Sequence, residues 1–256
     1  MHKLGRFGLF IGIIFLYMPI LFLMIFSFNQ ASFPGVWTGF SLQWYKDLFS
    51  NKQVFLCLLN SFKIATISAS LSVLLGTLAA IRVVKSKKSF IKNLLLTPLA
   101  TPEIIVGFSL LLSIVTFKKL IGWPKYGIQT IIIGHVTLTI GYVLMIIHAR
   151  LKDFDVHLEE AALILGATPY QAFIYITLPI IMPSLISGWL LSFALSLDDV
   201  VLASFLSGPG ATTLPMLVFS QLRMGITPEL NALATMIILV VSCFALFFAF
   251  LLKKRY

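Results

Sequence analysis

Long apolar runs separated by short polar segments dominate the chain. The first run lasts about 22 residues, which at ~1.5 Å per residue is enough for a helix to cross a hydrocarbon core of ~30 Å. A membrane core offers the backbone no water, so continuous runs of this length predict helices, which satisfy their own backbone groups. The pattern therefore predicts an all-α integral membrane protein, forming one domain over 1–256, with six spans at 7–28, 54–81, 93–117, 128–149, 180 to about 199, and 228–252.

Two segments between these spans have distinctive side chains. Segment 29–53 is rich in aromatic residues, which indicates either a belt at the membrane interface or, at Trp44, a surface that accepts an organic cation. Segment 200–227 is mostly apolar and carries turn residues at 208–210, with a short helix expected over 217–223. Irregular backbone of this kind is expected to pack on protein or line a vestibule.

The third span contains Pro98 and Pro102, and Glu103 follows the second proline. Counted along a continuous helix, Glu103 would lie about 15 Å deep, near the bilayer midplane. An ionisable side chain there costs at least ~2.5 kcal/mol, so it is expected to face a cavity or a partner. Lys63, inside the second span, is one such partner; it could instead extend toward the outer interface.

A polar stretch, 150–179, interrupts the apolar runs and predicts two short helices joined by a glycine. Asp155 is a candidate N-cap, and Gly166 is expected to end the first helix. The second helix is expected to begin at Thr168-Pro169, with Gln171 completing a capping box, and to end at Pro179. Such an elbow at a membrane face suits insertion into a groove of another protein.

Composition supports a membrane location, because 59% of the 256 residues are hydrophobic and the mean hydropathy is +1.01. The formal charge of +10 could suggest nucleic acid as a partner, but the basic residues cluster beside apolar runs. Of the 19 Lys and Arg residues, about two thirds fall on one side of the membrane in this threading, which places both termini in the cytoplasm. Nucleic-acid binding and a soluble fold are therefore excluded.

Asp198 and Asp199 are expected at the outer end of the fifth span. Neighbours on a helix point about 100° apart, so these carboxylates cannot form the facing pair of an aspartyl protease. One of them could contact an organic cation, or both could sit at the headgroup level. His135 and His148 do not belong to a recognisable set of metal ligands in the sequence, so no metal site is predicted. Both are expected to contribute to packing or to an interface.

The stretch 150–179 resembles the "EAA" loop of permease subunits in binding-protein-dependent ABC importers. The similarity rests on Glu160-Ala161-Ala162, Gly166-Ala167 and Ile176 to Pro179, including Leu178. It implies a type I importer permease fold in which this loop is a cytoplasmic coupling helix that docks on an ATPase.

Further segments resemble polyamine permeases, most of all the second permease of putrescine importers. They are 188–199, 207–215 and 228–235. The resemblance implies a substrate pathway in which acids of the outer half and an outer tryptophan contact the cation. The corresponding positions are Asp198, Asp199, Ser196, Glu103 and Trp44.

The chain has no Walker A loop, so it is expected to be a non-catalytic subunit without a cofactor of its own. The resemblance implies two ABC ATPases that hold ATP and Mg, a second homologous permease, and a periplasmic polyamine-binding protein, all at a bacterial inner membrane. Two alternatives remain open. An importer permease for an anion or iron would show basic pathway residues, and a stand-alone secondary transporter or channel would show inverted repeats.

Overall fold

A computed structural model describes residues 2–31, 36–85, 90–225 and 227–253. Within these ranges the fold is helical, in agreement with the all-α prediction. The α-helices are α1 (His2–Phe26), α2 (Gln43–Ser50), α3 (Lys52–Lys85), α4 (Phe90–Ala100), α5 (Glu103–Ile121), α6 (Ile128–Lys152), α7 (His157–Ile164), α8 (Pro169–Ala172), α9 (Leu178–Asp198), α10 (Val201–Leu206), α11 (Leu214–Met224) and α12 (Pro228–Lys253).

Five helical segments are long and apolar enough to cross a membrane: Gly8–Phe26, Lys52–Val84, Glu103–Ile121, Ile128–Lys152 and Pro169–Asp198. Helix α12 has 26 residues, and its apolar part with described side chains is Pro228–Cys243. The expected third span, 93–117, is divided between α4 and α5. Pro102, with ψ 134°, is the N-cap of α5, and a proline disfavours helical geometry at the residue before it.

The predicted end of a helix at Pro179 is wrong. Helix α8 continues through a π-helical segment, Phe173–Thr177, into α9, so the whole run Pro169–Asp198 is helical. A proline inside a helix lacks one N–H and its ring crowds the carbonyl four residues back. Here Pro179 lies in the first turn of α9, directly after the π segment, which changes the local hydrogen-bond spacing.

The chain divides into two compact units. The first comprises Met1–Leu56 and Leu217–Tyr256. In it α12 packs against α1 and α2. Asn51 donates to the Glu229 carboxylate at 2.9 Å, and the hydroxyls of Ser27 and Tyr45 lie 2.7 Å apart. These contacts fix α2 against both long helices of the unit.

The second unit, Cys57–Met216, is built around α6, which packs against α4, α9 and α10. Val143, Leu144 and Ile147 of α6 are fully buried with Ile181 of α9 in its core. Small residues allow the close approach: a Cβ added at Gly141 would lie 2.6 Å from the carbonyl oxygen of Leu95 in α4. Helix α6 is therefore the scaffold that positions segment 200–216.

The short helix expected over 217–223 is present as part of α11, and α10 adds a second short helix that the sequence pattern did not indicate.

Candidate functional site

Helix α7 contacts α8 and the π-helical segment but contains no fully buried side chain. Leu158 is 47% exposed, and Ile164 and Leu165 are 85% and 88% exposed. Large apolar side chains this accessible, outside the spans, mark a surface suited to a protein partner. We call 158–165 the docking face.

The elbow that carries this docking face is fixed by local hydrogen bonds. Gly166 has φ +93°, a conformation that side-chain-bearing residues rarely adopt, and its N–H donates to the Leu163 carbonyl. Thr168 caps α8, since its hydroxyl accepts the Gln171 N–H while the Gln171 side chain accepts the Thr168 N–H at 2.8 Å. Asp155 is not the N-cap as expected, because α7 begins at His157 and its N-cap is Val156. The Asp155 carboxylate still accepts the His157 N–H from one residue before the cap.

The residues with the EAA-like pattern occupy both sides of this elbow. Glu160 and Ala161 are exposed, and Ala162 is half-buried. Glu160 lies 3.1 Å from Nδ1 of His157, in a contact open to solvent. Beyond Gly166, Ala167 and Leu178 are half-buried and Pro179 is exposed. The segment therefore presents its carboxylate and apolar groups outward and anchors itself through Leu178, which packs on the core of α6.

Asp198 and Asp199 face opposite environments. Helix α9 ends at Asp198, Asp199 is extended with ψ 128°, and α10 begins two residues later. Asp198 is exposed, whereas the side chain of Asp199 is only 4% exposed. The structure thus separates the two acids, as expected from their adjacent positions.

Asp199 is held by hydrogen bonds from three groups. Its carboxylate accepts the N–H groups of Leu202 at 3.2 Å and Ala203 at 2.7 Å, at the start of α10. Its Oδ2 also lies 3.0 Å from Nε2 of His135, whose side chain is 1% exposed. Three donors offset much of the cost of burying a carboxylate.

His135 also contacts Ser196, the third residue of this cluster. Nδ1 of His135 lies 2.5 Å from the Ser196 hydroxyl, in the last turn of α9. Ser196 is buried, and its hydroxyl contacts the imidazole of His135. Sequence reasoning placed His135 in a packing or interface role, because nothing in the sequence connects it to residues about sixty positions later.

Glu103 and Lys63 do not form an ion pair in the described part of the chain. Both side chains are exposed. Glu103 lies in the first turn of α5, where a carboxylate favours the positive end of the helix dipole. The expected depth was counted along one continuous helix, whereas α5 begins anew at Glu103.

Trp44 lies on α2, in the first unit. Its indole N–H donates to the Asn29 carbonyl at 2.8 Å, and the residue is half-buried. Asn29 in turn accepts the Thr38 N–H and donates to the Val36 carbonyl. The indole therefore fixes Asn29 while part of its ring stays accessible.

Similar proteins of known role were found by sequence. The putrescine transport system permease protein PotI of Escherichia coli K12 is 48% identical over 235 residues, covering 90% of this chain and 84% of that protein. The spermidine/putrescine transport system permease protein PotC of the same strain is 37% identical over 231 residues, covering 89% and 85%. These relatives are permease subunits of polyamine transport systems.

Solved structures share the fold at low identity. A bacterial ABC transporter for import of the acidic polysaccharide alginate matches with a TM-score of 0.75 at 17% identity, covering 100% of this chain and 95% of that chain. The same transporter type in complex with an alginate pentasaccharide-bound periplasmic protein matches at 0.75 and 18%, covering 99% and 93%. The helical arrangement is thus shared with chains of this bacterial ABC transporter.

Residues 72–255 match the family described as binding-protein-dependent transport system inner membrane component. That range includes the elbow, the docking face and the Asp198–Asp199 corner. The chain belongs to this family of inner membrane permeases.

Proposed function

We propose that this chain is the membrane permease subunit of an ATP-driven importer of polyamines, putrescine or spermidine. The observation that carries the proposal is the 48% identity to the putrescine permease over 90% of the chain. The chain has a formal charge of +10, yet Asp198 exposes a carboxylate, the kind of group that can contact a cationic substrate. A pathway for an anion would be expected to present basic groups there.

Asp198 is the residue that we propose contacts the substrate directly. A polyamine loses water when it enters the passage, and a carboxylate or an aromatic face must replace that water. Glu103 and the accessible part of Trp44 remain candidates for the same pathway. Asp199 and Ser196, which are buried and bonded within the chain, support the pathway by holding its wall.

The docking face and elbow are proposed to receive a cytoplasmic ABC ATPase. No side chain of α7 is fully buried within the chain, and Ile164 and Leu165 would lose most of their exposed surface in such an interface. The inserted surface is shaped by Glu160, Ala161, Ala162, Gly166 and Ala167. It continues into α9, whose first residues are Leu178 and Pro179. This connection would transmit ATPase closure to the bundle in an alternating-access cycle.

The assembly would contain a second permease, two ATPase subunits with ATP and Mg, and a periplasmic polyamine-binding protein. The alginate importer whose fold matches was solved with a substrate-bound periplasmic protein. The membrane topology would have six spans, with α12 as the sixth, and both termini in the cytoplasm. Helix α12 has 26 residues, enough at ~1.5 Å each to cross a ~30 Å core.

The test is substrate-stimulated ATP hydrolysis by the co-purified complex. The complex is purified through this chain, and ATP hydrolysis is measured with the binding protein loaded with putrescine, with spermidine or with neither. Stimulation by a polyamine at least several-fold above the unloaded state is expected. Recovery of this chain without an ATPase, or stimulation by an anionic solute alone, would contradict the proposal.

A further inference from the structure

The corner between α9 and α10 consists of two residues, the extended Asp199 and Val200. Two linking residues do not by themselves hold two helix ends at a defined angle. The direction of the exposed Asp198 depends on that angle, because Asp198 is the last residue of α9 and its carboxylate has no hydrogen bond among the described residues. Whatever fixes the corner therefore aims this carboxylate.

One imidazole joins both sides of the corner. Nδ1 of His135 contacts Ser196, in the last turn before the break, and Nε2 contacts Asp199, at the break itself. When Nε2 carries the proton, it donates to the Asp199 carboxylate and Nδ1 accepts the Ser196 hydroxyl proton. A neutral imidazole thus satisfies both contacts.

The other end of α10 is attached to the same helix. The Thr130 hydroxyl lies 2.5 Å from the Leu206 carbonyl oxygen, and Thr130 is fully buried. Helix α6 therefore fixes α10 at its start through His135 and at its end through Thr130. His135 is itself supported one turn later, where the Thr139 hydroxyl donates to its carbonyl at 2.7 Å and meets Ser72 of α3.

We propose that His135 is a positioning residue for transport, which fixes the α9–α10 corner so that Asp198 points into the substrate pathway. This inference rests on the proposed function of Asp198 as the substrate contact. His135 is buried and its ring nitrogens are occupied by Ser196 and Asp199, so it acts through the corner and does not touch the polyamine.

The experiment compares His135→Phe with His135→Gln in the complete complex reconstituted in liposomes. Phenylalanine fills the site without hydrogen bonds, whereas the glutamine amide can reach Asp199 as a donor. The readout is putrescine transported per ATP hydrolysed. We expect His135→Phe to lower this ratio about tenfold and His135→Gln to restore it to within about threefold of the unmodified protein.

A general loss of folding has a different signature. It would reduce transport and ATP hydrolysis together, since fewer intact complexes would remain, and leave their ratio unchanged. An unchanged ratio in His135→Phe would overturn the positioning role, and so would a ratio in His135→Gln as low as in His135→Phe.

Asp198→Asn, alone and combined with His135→Phe, separates this inference from the function on which it rests. If His135 acts through Asp198, the double variant loses little beyond Asp198→Asn alone. Fully additive losses would overturn the positioning role and leave Asp198 as a substrate contact. A normal ratio in Asp198→Asn would instead refute the proposed substrate contact, and the inference with it.

Discussion

At the residue scale, two adjacent aspartates lie in different environments. Asp198 is exposed at the end of α9, and Asp199 is buried with its carboxylate bonded to His135 and to two backbone N–H groups. Helix geometry alone predicts that they diverge. It does not tell which one turns inward, because that depends on His135, a residue of another helix.

Substitution by asparagine should therefore destabilise the protein at Asp199 and not at Asp198. Asp199→Asn replaces one acceptor oxygen with an amide that meets donors in a buried site, at a cost of about 1–3 kcal/mol. Asp198→Asn removes an exposed charge, so its thermal unfolding in detergent should match the unmodified chain. Unfolding midpoints measured by fluorescence on both variants check this, and equal midpoints would contradict the burial of Asp199.

At the element scale, the elbow shows what local sequence predicts well. Gly166 ends a helix and Thr168, Pro169 and Gln171 begin another, as expected, because these signals act within a few residues. Pro179 was misjudged as a helix end, since the π segment before it lets the helical run continue. Leu178 and Ile181 at the start of α9 pack on α6, and the local sequence does not contain that contact.

The docking face predicts a loss of ATPase binding when its apolar surface is replaced. Leu165 is 88% exposed, so Leu165→Asp should leave the permease folded and in the membrane. It should lower the ATPase recovered with this chain at least about fivefold, because a charge would be buried at the interface. Leu165→Met keeps the apolar area and is the matched control. Equal ATPase recovery with Leu165→Asp and Leu165→Met would rule out this interface.

Substitution of Gly166 is expected to change the backbone conformation of the same elbow. A Cβ there would meet no atom within 4 Å, but φ +93° strains any β-branched residue. Gly166→Val should therefore redirect α7 and reduce polyamine-stimulated ATP hydrolysis. Gly166→Asn, which tolerates positive φ better, should retain more of it. Similar activities of the two variants would show that the positive φ is not required.

At the scale of the whole molecule, apolar length predicted the helical class and most of the spans. Five of the six expected spans have counterparts among the long apolar helices, although the third begins at Glu103 and the fifth extends back to Pro169. The third span begins later than expected because the helix is interrupted at Pro102. The fifth begins earlier because the helical run continues through Pro179. The contact of His135 with Asp199 joins residues that are far apart in the sequence, so the sequence pattern did not predict it.

The charge distribution predicts the topology. Reporter fusions after Lys88 and after Lys253 should be cytoplasmic, because basic residues accumulate on the inner side. Fusions near Lys46 and Lys119 should be external. An alkaline phosphatase and a fluorescent protein fused at each position give opposite signals, and an external signal at Lys88 would contradict this threading.

The most direct measurement is uptake of radiolabelled putrescine by liposomes that contain the complete complex. The binding protein is added outside, and ATP or a non-hydrolysable analogue is enclosed. We predict accumulation only with ATP, reduced at least about tenfold in Asp198→Asn and unchanged in Asp47→Asn, an exposed acid of α2. Accumulation that is equal with the analogue, or unaffected by the loss of the Asp198 charge, would contradict an ATP-driven polyamine pathway past this carboxylate.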